Sequence, residues 1–327
     1  GVATWQSGGS GWLLTGNAGT VAGNFIGTTD RDTLEFRVNG VKSGWIDNTT
    51  ANISFGDYAL ENSSGGANTA VGAAALRNNT TGNLSVALGT QALQNNTIGY
   101  QNEAIGVGAL QNNTIGVGNV AIGYISMYNN TTGGSNTAVG NLSLSSAGVG
   151  GSNTALGYNA LNGSIATDRN TAVGSYALSG ILNGQDNVAV GVEAAMGLGE
   201  ANYCIAIGAT SFIDNKNKAT SIGYGAGVMN NNATAIGANA YVTQDNSLVL
   251  GSINGVNGAT EDTKVGIGVT APTSKLHVNG GVRFSGISEA NGYVLTSDAN
   301  GNGTWQPSGG GGGGWGLSGN AITSGDF

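Results

Sequence analysis

Thirteen glycines fall in step along this chain, and their phasing constrains the fold more than any other feature. They stand at Gly56, Gly72, Gly89, Gly106, Gly123, Gly140, Gly157, Gly174, Gly191, Gly208, Gly223, Gly237 and Gly251. The first step is 16 residues, the steps from Gly72 to Gly208 are 17, and the last three are 15, 14 and 14. A phrase recurs around them: NTAVGAAAL at Asn68–Leu76, NEAIGVGAL at Asn102–Leu110, NTALGYNAL at Asn153–Leu161 and NTAVGSYAL at Asn170–Leu178. A helical-hairpin repeat needs about 30 residues or more, so this period is too short for one. Within the phrase, Thr69, Val71 and Ala73 alternate with Ala70, Gly72 and Ala74, which is strand patterning. The spacers, such as Asn78–Gly82 and Asn95–Gly99, are turn chemistry, since Asn and Gly tolerate left-handed dihedrals and Asn closes local hydrogen bonds. One phrase and one spacer therefore predict one coil of a parallel β-solenoid or β-roll. Coils stacked at about 4.8 Å would make thirteen of them a rod segment of roughly 60 Å.

Composition removes the alternatives. Of 327 residues, 61 are Gly and 41 are Asn, yet only 2 are Pro and Gly does not fall at every third position, so collagen is excluded. An apolar share of 39% with 9% charged residues argues against disorder. Ten basic against 18 acidic residues give a net charge of −8, a poor match for nucleic acid or for anionic membrane surfaces. No run of about 18 apolar residues exists, so no helix is expected to cross a bilayer. The single Cys204 excludes a disulfide within the chain. The start at Gly1-Val2-Ala3, without Met or a signal-peptide pattern, reads as a processed product or a segment of something longer.

A thin coil has little interior. Val71, Leu88, Ile105, Ile122, Val139, Leu156 and Val173 are expected to form one ladder, and Leu76, Leu93, Leu110, Leu161 and Leu178 another. The small neighbours Ala70, Ala138 and Ala172 would let a second backbone approach closely. On this reading one chain is too slender to be dry alone. Three identical chains around an axis are the simplest closed arrangement.

The closing coils, NNATAIGANAYVTQDNSLVLGS at Asn231–Ser252, resemble the head repeats of YadA-like trimeric autotransporter adhesins. The resemblance spans about residues 51–252. It implies a left-handed parallel β-roll and an obligate homotrimer. VGIGVTAPTSKLHVNGGVRFSG at Val265–Gly286 and FIGTTDRDTLEFRVNG at Phe25–Gly40 look like connector segments of phage tail-fibre and related bacterial fibre proteins. Two departures limit what is carried over: these residues show neither the coiled-coil stalk and membrane-anchor barrel of a complete autotransporter adhesin nor a C-terminal chaperone domain.

The ends repeat each other. Gly1–Thr20 matches Gly301–Thr323, aligning Trp5 with Trp305, Trp12 with Trp315 and Asn17 with Asn320. Gly309–Gly314 reads as a linker or as a loop threaded close to other backbones. Leu34, Phe36 and Val38 predict a half-buried strand, followed by a turn at Asn39-Gly40 and a strand toward Trp45. Leu276 and Val278, a turn at Asn279–Gly281, then Val282 and Phe284 predict a second hairpin. The expected organisation is an N-terminal β joint over 1–50, a β-roll of about thirteen coils over 51–252, a β connector over 253–286, and a Gly-rich joint over 287–327. The fold class is all-β, with coils of 14–17 residues and flanking β-hairpins.

Catalytic chemistry has little to stand on. His277 is the only histidine and lies on the polar face of a strand, so zinc and general-base roles are not expected. Cys204 sits in NYCIAIG, where apolar packing is its ordinary role. The acids of the roll, Asp57, Glu61, Glu103, Asp168, Asp186, Glu193, Glu200 and Asp214, do not recur from coil to coil. Asp168 and Asp186 alone are near enough in phase for a glycosidase-type pair. Asn-x-Ser/Thr triplets such as that at Asn79 follow from the turns. The Thr column at Thr69, Thr137, Thr154 and Thr171, which raises ice binding, is broken at Glu103, Val120 and Val188. The expectation is a non-enzymatic structural module of an extracellular homotrimeric fibre, a surface filament or adhesin or a phage-like tail fibre, giving reach and attachment. It needs no cofactor. Its partners are two identical chains, further copies end to end, and a host-surface glycan or protein receptor, met through spacer turns carrying Tyr128, Tyr158 and Tyr176. The alternative is a tailspike-type spike that binds or cleaves surface polysaccharide.

Overall fold

The computed structural model describes residues 27–146, 148, 150–284, 292–299 and 301–307, and among them there are strands and turns but no helix. The matched ends at Trp5, Trp12, Asn17, Trp315 and Asn320 and the Gly309–Gly314 run lie outside the described residues. The chain divides into two units, Gly1–Thr263 and Lys264–Phe327.

The first unit opens with β1 (Leu34–Val38) and β2 (Val41–Asp47), paired antiparallel across Asn39-Gly40. A parallel stack follows: β3 (Asn52–Phe55), β4 (Thr69–Val71), β5 (Val86–Leu88), β6 (Glu103–Ile105), β7 (Val120–Ile122), β8 (Thr137–Val139), β9 (Thr154–Leu156), β10 (Thr171–Val173), β11 (Val188–Val190) and β12 (Ile205–Ile207). Beyond β12 two columns alternate: β13 (Phe212–Ile213), β14 (Thr220–Ile222), β15 (Gly227–Val228), β16 (Thr234–Ile236), β17 (Tyr241–Val242) and β18 (Leu248–Leu250). The main sheet runs β1 to β12 and then β14, β16 and β18, while β13, β15 and β17 make a second, three-stranded parallel sheet. From β3 to β18 the main sheet has thirteen parallel rungs, a β-solenoid of about twelve turns. Registers are regular: Thr69, Ala70 and Val71 face Val86, Ala87 and Leu88, and so on up the stack.

The interior is closed within one chain, which corrects the expectation that it could not be dry alone. Ala70, Ala87, Ala104, Ala121, Ala138, Ala155, Ala172 and Ala189 point inward and are fully buried. Opposite them stand Leu76, Leu93, Leu110, Met127, Leu144, Leu161 and Leu178, also fully buried. The Val71 column, expected inside, faces out: Val71, Ile105, Leu156, Val190 and Ile207 are all exposed. Volume decides the sense. A leucine reaching across a thin coil leaves room only for a methyl on the opposite strand at ordinary packing density. Each leucine so buried contributes roughly 2 kcal/mol.

Buried amides complete the long coils. In one column, Asn119 Nδ2 donates to Gly133 O at 2.8 Å, and its Oδ1 accepts from the Asn136 backbone N–H at 3.0 Å. The pattern recurs at Asn136, Asn153, Asn170 and Asn187. A second buried column runs Asn79, Asn96, Asn113, Asn130, each amide nitrogen after the first donating to the Oδ1 below it at 2.8–2.9 Å. The spacer asparagines are therefore not left-handed turn residues, as expected, but ladder rungs. Their glycines are there for room: a Cβ on Gly99 would lie 2.5 Å from Asn96 Oδ1 and from Gly116 O. The left-handed positions fall elsewhere, for example on Ala74, Leu76 and Leu84 within one coil. Each such residue costs about 1 kcal/mol or more. Bonds between coils offset this: Leu76 N–H donates to Ala92 O at 3.0 Å and Ala74 N–H to Asp57 O at 2.7 Å.

The phased glycines do need their special backbone. From Gly56 to Gly237 their φ lies between +123° and +141°. At Gly106 a Cβ would meet Gly123 O at 2.3 Å.

In the second unit, β19 (Val265–Ile267) and β20 (Leu276–Val278) pair in parallel, and β21 (Tyr293–Ser297) and β22 (Gly303–Pro307) pair antiparallel. The hairpin expected around Asn279–Gly281 does not form. Leu276–Val278 takes its partner upstream instead, with Val265 N–H donating to Lys275 O and Asn279 N–H to Ile267 O. That leaves Val282 and Phe284 outside any strand.

Candidate functional site

Two surfaces of the solenoid carry chemistry outward. The first is the sheet face. From β4 to β16 each three-residue strand of the main sheet buries its middle residue and turns its flanking pair outward, half-buried or exposed, so Ile205 and Ile207 lie side by side on the outer face. Phe55 at the base packs its ring against Phe36 with centroids 5.3 Å apart. The Thr column lies on this same face, interrupted by Val86, Glu103, Val120, Val188 and Ile205. The result is a long ladder of exposed aliphatic side chains.

The second surface is the residue that follows each phased glycine from Gly123 to Gly237. Tyr124, Asn141, Tyr158, Ser175, Val192, Ala209, Tyr224 and Ala238 occupy successive rungs in this place. Main-chain bonds fix their alignment. Tyr124 O accepts from Leu142 N–H at 3.0 Å, Tyr158 O from Tyr176 N–H at 2.9 Å, and Tyr224 O from Asn239 N–H at 2.8 Å. Large and small residues alternate, and the large ones stand out: Tyr124 is 52%, Tyr158 47%, Val192 51% and Tyr224 63% exposed. Tyr176 meets Tyr158 edge to face, with centroids 5.4 Å apart. Hydrogen bonding to Tyr158 pushes the Tyr176 phenol above its ordinary pKa. Of the expected spacer tyrosines, the structure brings Tyr158 and Tyr176 together and leaves Tyr128 half-buried in another column. Tyr124 and Tyr224 were missed. Reading the single position after each phased glycine would have found them.

The expected carboxylate pair is not one. Arg169 stands between, holding Asp186 in a two-pronged contact at 2.7 and 2.9 Å. That hydrogen bonding holds the Asp186 carboxyl below its ordinary range and Arg169 above its own. Asp168 Oδ1 accepts instead from Gly151 N–H at 2.7 Å. Asp168 and Asp186 are offset by one position, because the residue in register with Asp168 is Gln185. Glu61 is engaged by Arg77 at 3.0 Å.

His277 Nδ1 accepts from Thr273 N–H at 3.3 Å on β20. Cys204 is buried and ends the first asparagine column: its N–H donates to Asn187 Oδ1 at 2.9 Å and its thiol to Lys216 O at 2.8 Å. Burial pushes that thiol's pKa up, away from nucleophilic character. Asn79 is fully buried within the second column, so its triplet is closed to modification in the folded chain. No cluster of three metal-ligating side chains occurs among the described residues. A cavity of about 200 Å³ lies where β2 and β3 meet the first turn, lined by Lys42, Trp45, Asp57, Tyr58 and Glu61 among others. Its lysine is already placed, Lys42 lying over the Trp45 ring at 4.4 Å, and Tyr58 on its wall is covered by Arg77 at 4.6 Å. No helix among the described residues is long and apolar enough to cross a membrane. Comparisons with protein-family models, with curated proteins and with solved structures find no match.

Proposed function

We propose that this chain is a non-catalytic structural module of an extracellular homotrimeric fibre, with a left-handed roll of 14–17-residue coils that gives reach and carries attachment. The fibre is a surface filament or adhesin, or a phage-like tail fibre. The observation that carries this reading is the exposed aliphatic ladder of the main sheet. Its rungs show Ile105, Leu156, Val190, Ile207, Ile236 and Leu250 to solvent, although the interior is complete without them. Contiguous apolar surface of this extent marks an interaction site rather than a free monomer face. A ladder running the full length of a repetitive stack suits copies laid side by side, and three around an axis close it. The seam we propose thus lies on the Val71 face rather than on the alanine face first considered.

Other features support the same reading. The stack holds its shape through main-chain bonds and buried amides, with no need of metal or disulfide, which suits service outside the cell. The likeness of Asn231–Ser252 to YadA-like heads points the same way. The partners are then two identical chains, further copies joined end to end, and a host-surface glycan or protein.

Size-exclusion chromatography with light scattering tests the reading. Three chain masses at micromolar concentration are expected. Leu156→Asp with Val173→Asp, both outward on β9 and β10, should yield one chain mass while the β circular dichroism persists. A wild-type chain that runs as a folded monomer at every concentration would sink the fibre.

A further inference from the structure

We propose that the row Tyr124, Tyr158 and Tyr224 is a binding track for a neutral, extended linear polysaccharide, with its sugars stacked on every second rung. The proposal deepens the attachment role above, and of the fibre it requires only that this row lie outside the seam between chains.

Three observations converge. The first is the alternation after the phased glycines: Tyr124, Asn141, Tyr158, Ser175, Val192, Ala209, Tyr224 and Ala238. The second is exposure. An unsupported tyrosine ring in water leaves apolar area uncovered, yet Tyr224 is 63% exposed and Tyr124 52%. The third is spacing, fixed by the main chain rather than by flexible side chains. Adjacent rungs are about 4.8 Å apart, so like positions two rungs on are about 9.6 Å apart. That matches an extended disaccharide of β-1,4-linked hexoses, in which every second ring turns the same face the same way. A tyrosine ring offers a flat apolar platform to the axial C–H face of a sugar and a hydroxyl at its rim. Between platforms, Asn141 and Ser175 supply short polar groups for the sugar hydroxyls. Asn141 Oδ1 accepts from Tyr124 N–H at 3.1 Å, and its amide nitrogen donates to no protein group among the described residues. At Val192 the platform is aliphatic, so the track reads Tyr, Tyr, Val, Tyr.

Charge selects within the class. None of the eight positions from Tyr124 to Ala238 is charged, and the chain carries −8 overall, so an anionic polysaccharide would be repelled and a neutral one is not.

The test uses the full chain with cellobiose, cellohexaose and chitohexaose, and dextran as a flexible control, followed by titration calorimetry and saturation-transfer NMR. Each added platform acts at high effective concentration once the first is engaged. A hexasaccharide of at least one β-1,4 series should therefore bind tenfold or more tighter than the disaccharide, and dextran should not. Tyr124→Ala with Tyr158→Ala should bring the hexasaccharide down to disaccharide affinity with the light-scattering mass unchanged, and Tyr128→Ala should leave binding intact. No binding of either hexasaccharide overturns the track, as does equal affinity in the double variant. A changed mass in the double variant overturns it too, by placing the row in the seam. A wild-type monomer that still shows the length dependence would refute the fibre and uphold the track.

Discussion

The coils between Asn68 and Asn187 and those between Ile205 and Leu250 bury the same main-sheet face against different opposite walls. In the long coils the wall is a leucine column, Leu76 to Leu178, beside buried amides that pass hydrogen bonds from coil to coil. The second amide column stops at Asn130, whose Oδ1 has no partner. Ser164, then Ile181 and Leu198, take over its place, so this column turns apolar while the first amide column runs on to Asn187. In the short coils the wall becomes a true second sheet, with Ile213, Val228 and Val242 as its buried residues. The difference separates two jobs. Apolar packing closes the coil in both regions. The amide columns also specify register, because a slip of one residue would strand several buried donors and acceptors at once. The short coils give up that device when Cys204 ends the column and Ala219 and Ala233 follow.

The largest effect expected from breaking this comparison is at the phased glycines. Gly106→Ala would force a methyl to 2.3 Å from Gly123 O, whereas at Gly237 the nearest atom, Gly251 Cα, is 3.0 Å away. Both variants suffer the positive φ, but the added clash should put Gly106→Ala about 4 kcal/mol or more below wild type, against about 2 kcal/mol for Gly237→Ala. Urea midpoints at equal protein concentration would show it, and equal losses would mean that the two stacks yield alike. Next comes the amide column. Asn119→Leu strands the Asn136 N–H and takes one of two amide donors from Gly133 O, which keeps Asn130 Nδ2, and about 2–3 kcal/mol should go with them. Amide hydrogen exchange should rise in the coils flanking Asn119 before it rises near Val228. Third, Leu110→Ala should cost about 3 kcal/mol and Val228→Ala about 1–2 kcal/mol, since more methylenes leave the long coil.

Much of the solenoid was readable from residues alone. Alternation over three residues marks strands, and the glycine phase marks parallel stacking. What alternation cannot give is its sense: it groups Val71 with Thr69 without saying whether that pair faces in or out, and the volume of Leu76 settles it. The asparagines misled for a related reason. An Asn-rich spacer looks like turn chemistry whether its side chains close local bonds or reach the next coil, and only the stacking of Asn79 under Asn96 distinguishes the two. Left-handed leucines such as Leu76 and Leu93 carry no local signal, because the bonds that hold them come from the neighbouring coil. The Leu276–Val278 pairing was misjudged because a turn-like Asn279–Gly281 suggested a nearer partner than Val265. At the surface, the tyrosine row is only half legible, since alternation within a strand says nothing of the residue just past the glycine that ends it, where Tyr124 and Tyr224 stand.

The smallest effect sharpens the contrast from outside the coils. Where β2 ends, Asp47 accepts from Thr49 Oγ1 and Thr50 Oγ1, both at 2.6 Å, and these bonds hold its carboxyl below the ordinary range. A lowered folded pKa stabilises above the unfolded value of about 3.9 and fades as pH falls through the folded one. Thermal melts between pH 7 and pH 2 should therefore show a shallower acid loss in Asp47→Asn than in wild type. A matching acid loss in the variant would assign it to carboxylates elsewhere.

The reversed strand beneath the first rung has a consequence for how copies meet. A bare parallel edge would offer another molecule's last rung the same evenly spaced donors and acceptors found inside the stack, and growth could proceed by simple templating. Because β2 runs antiparallel to β3, and β1 to β2, the β1 edge of the sheet among the described residues presents bonds in alternating narrow and wide pairs instead. Glu35, Arg37 and Lys42 add charge along that edge. At this end of the described stack, templated addition of a parallel rung is therefore disfavoured, and joining of copies through it must use other contacts.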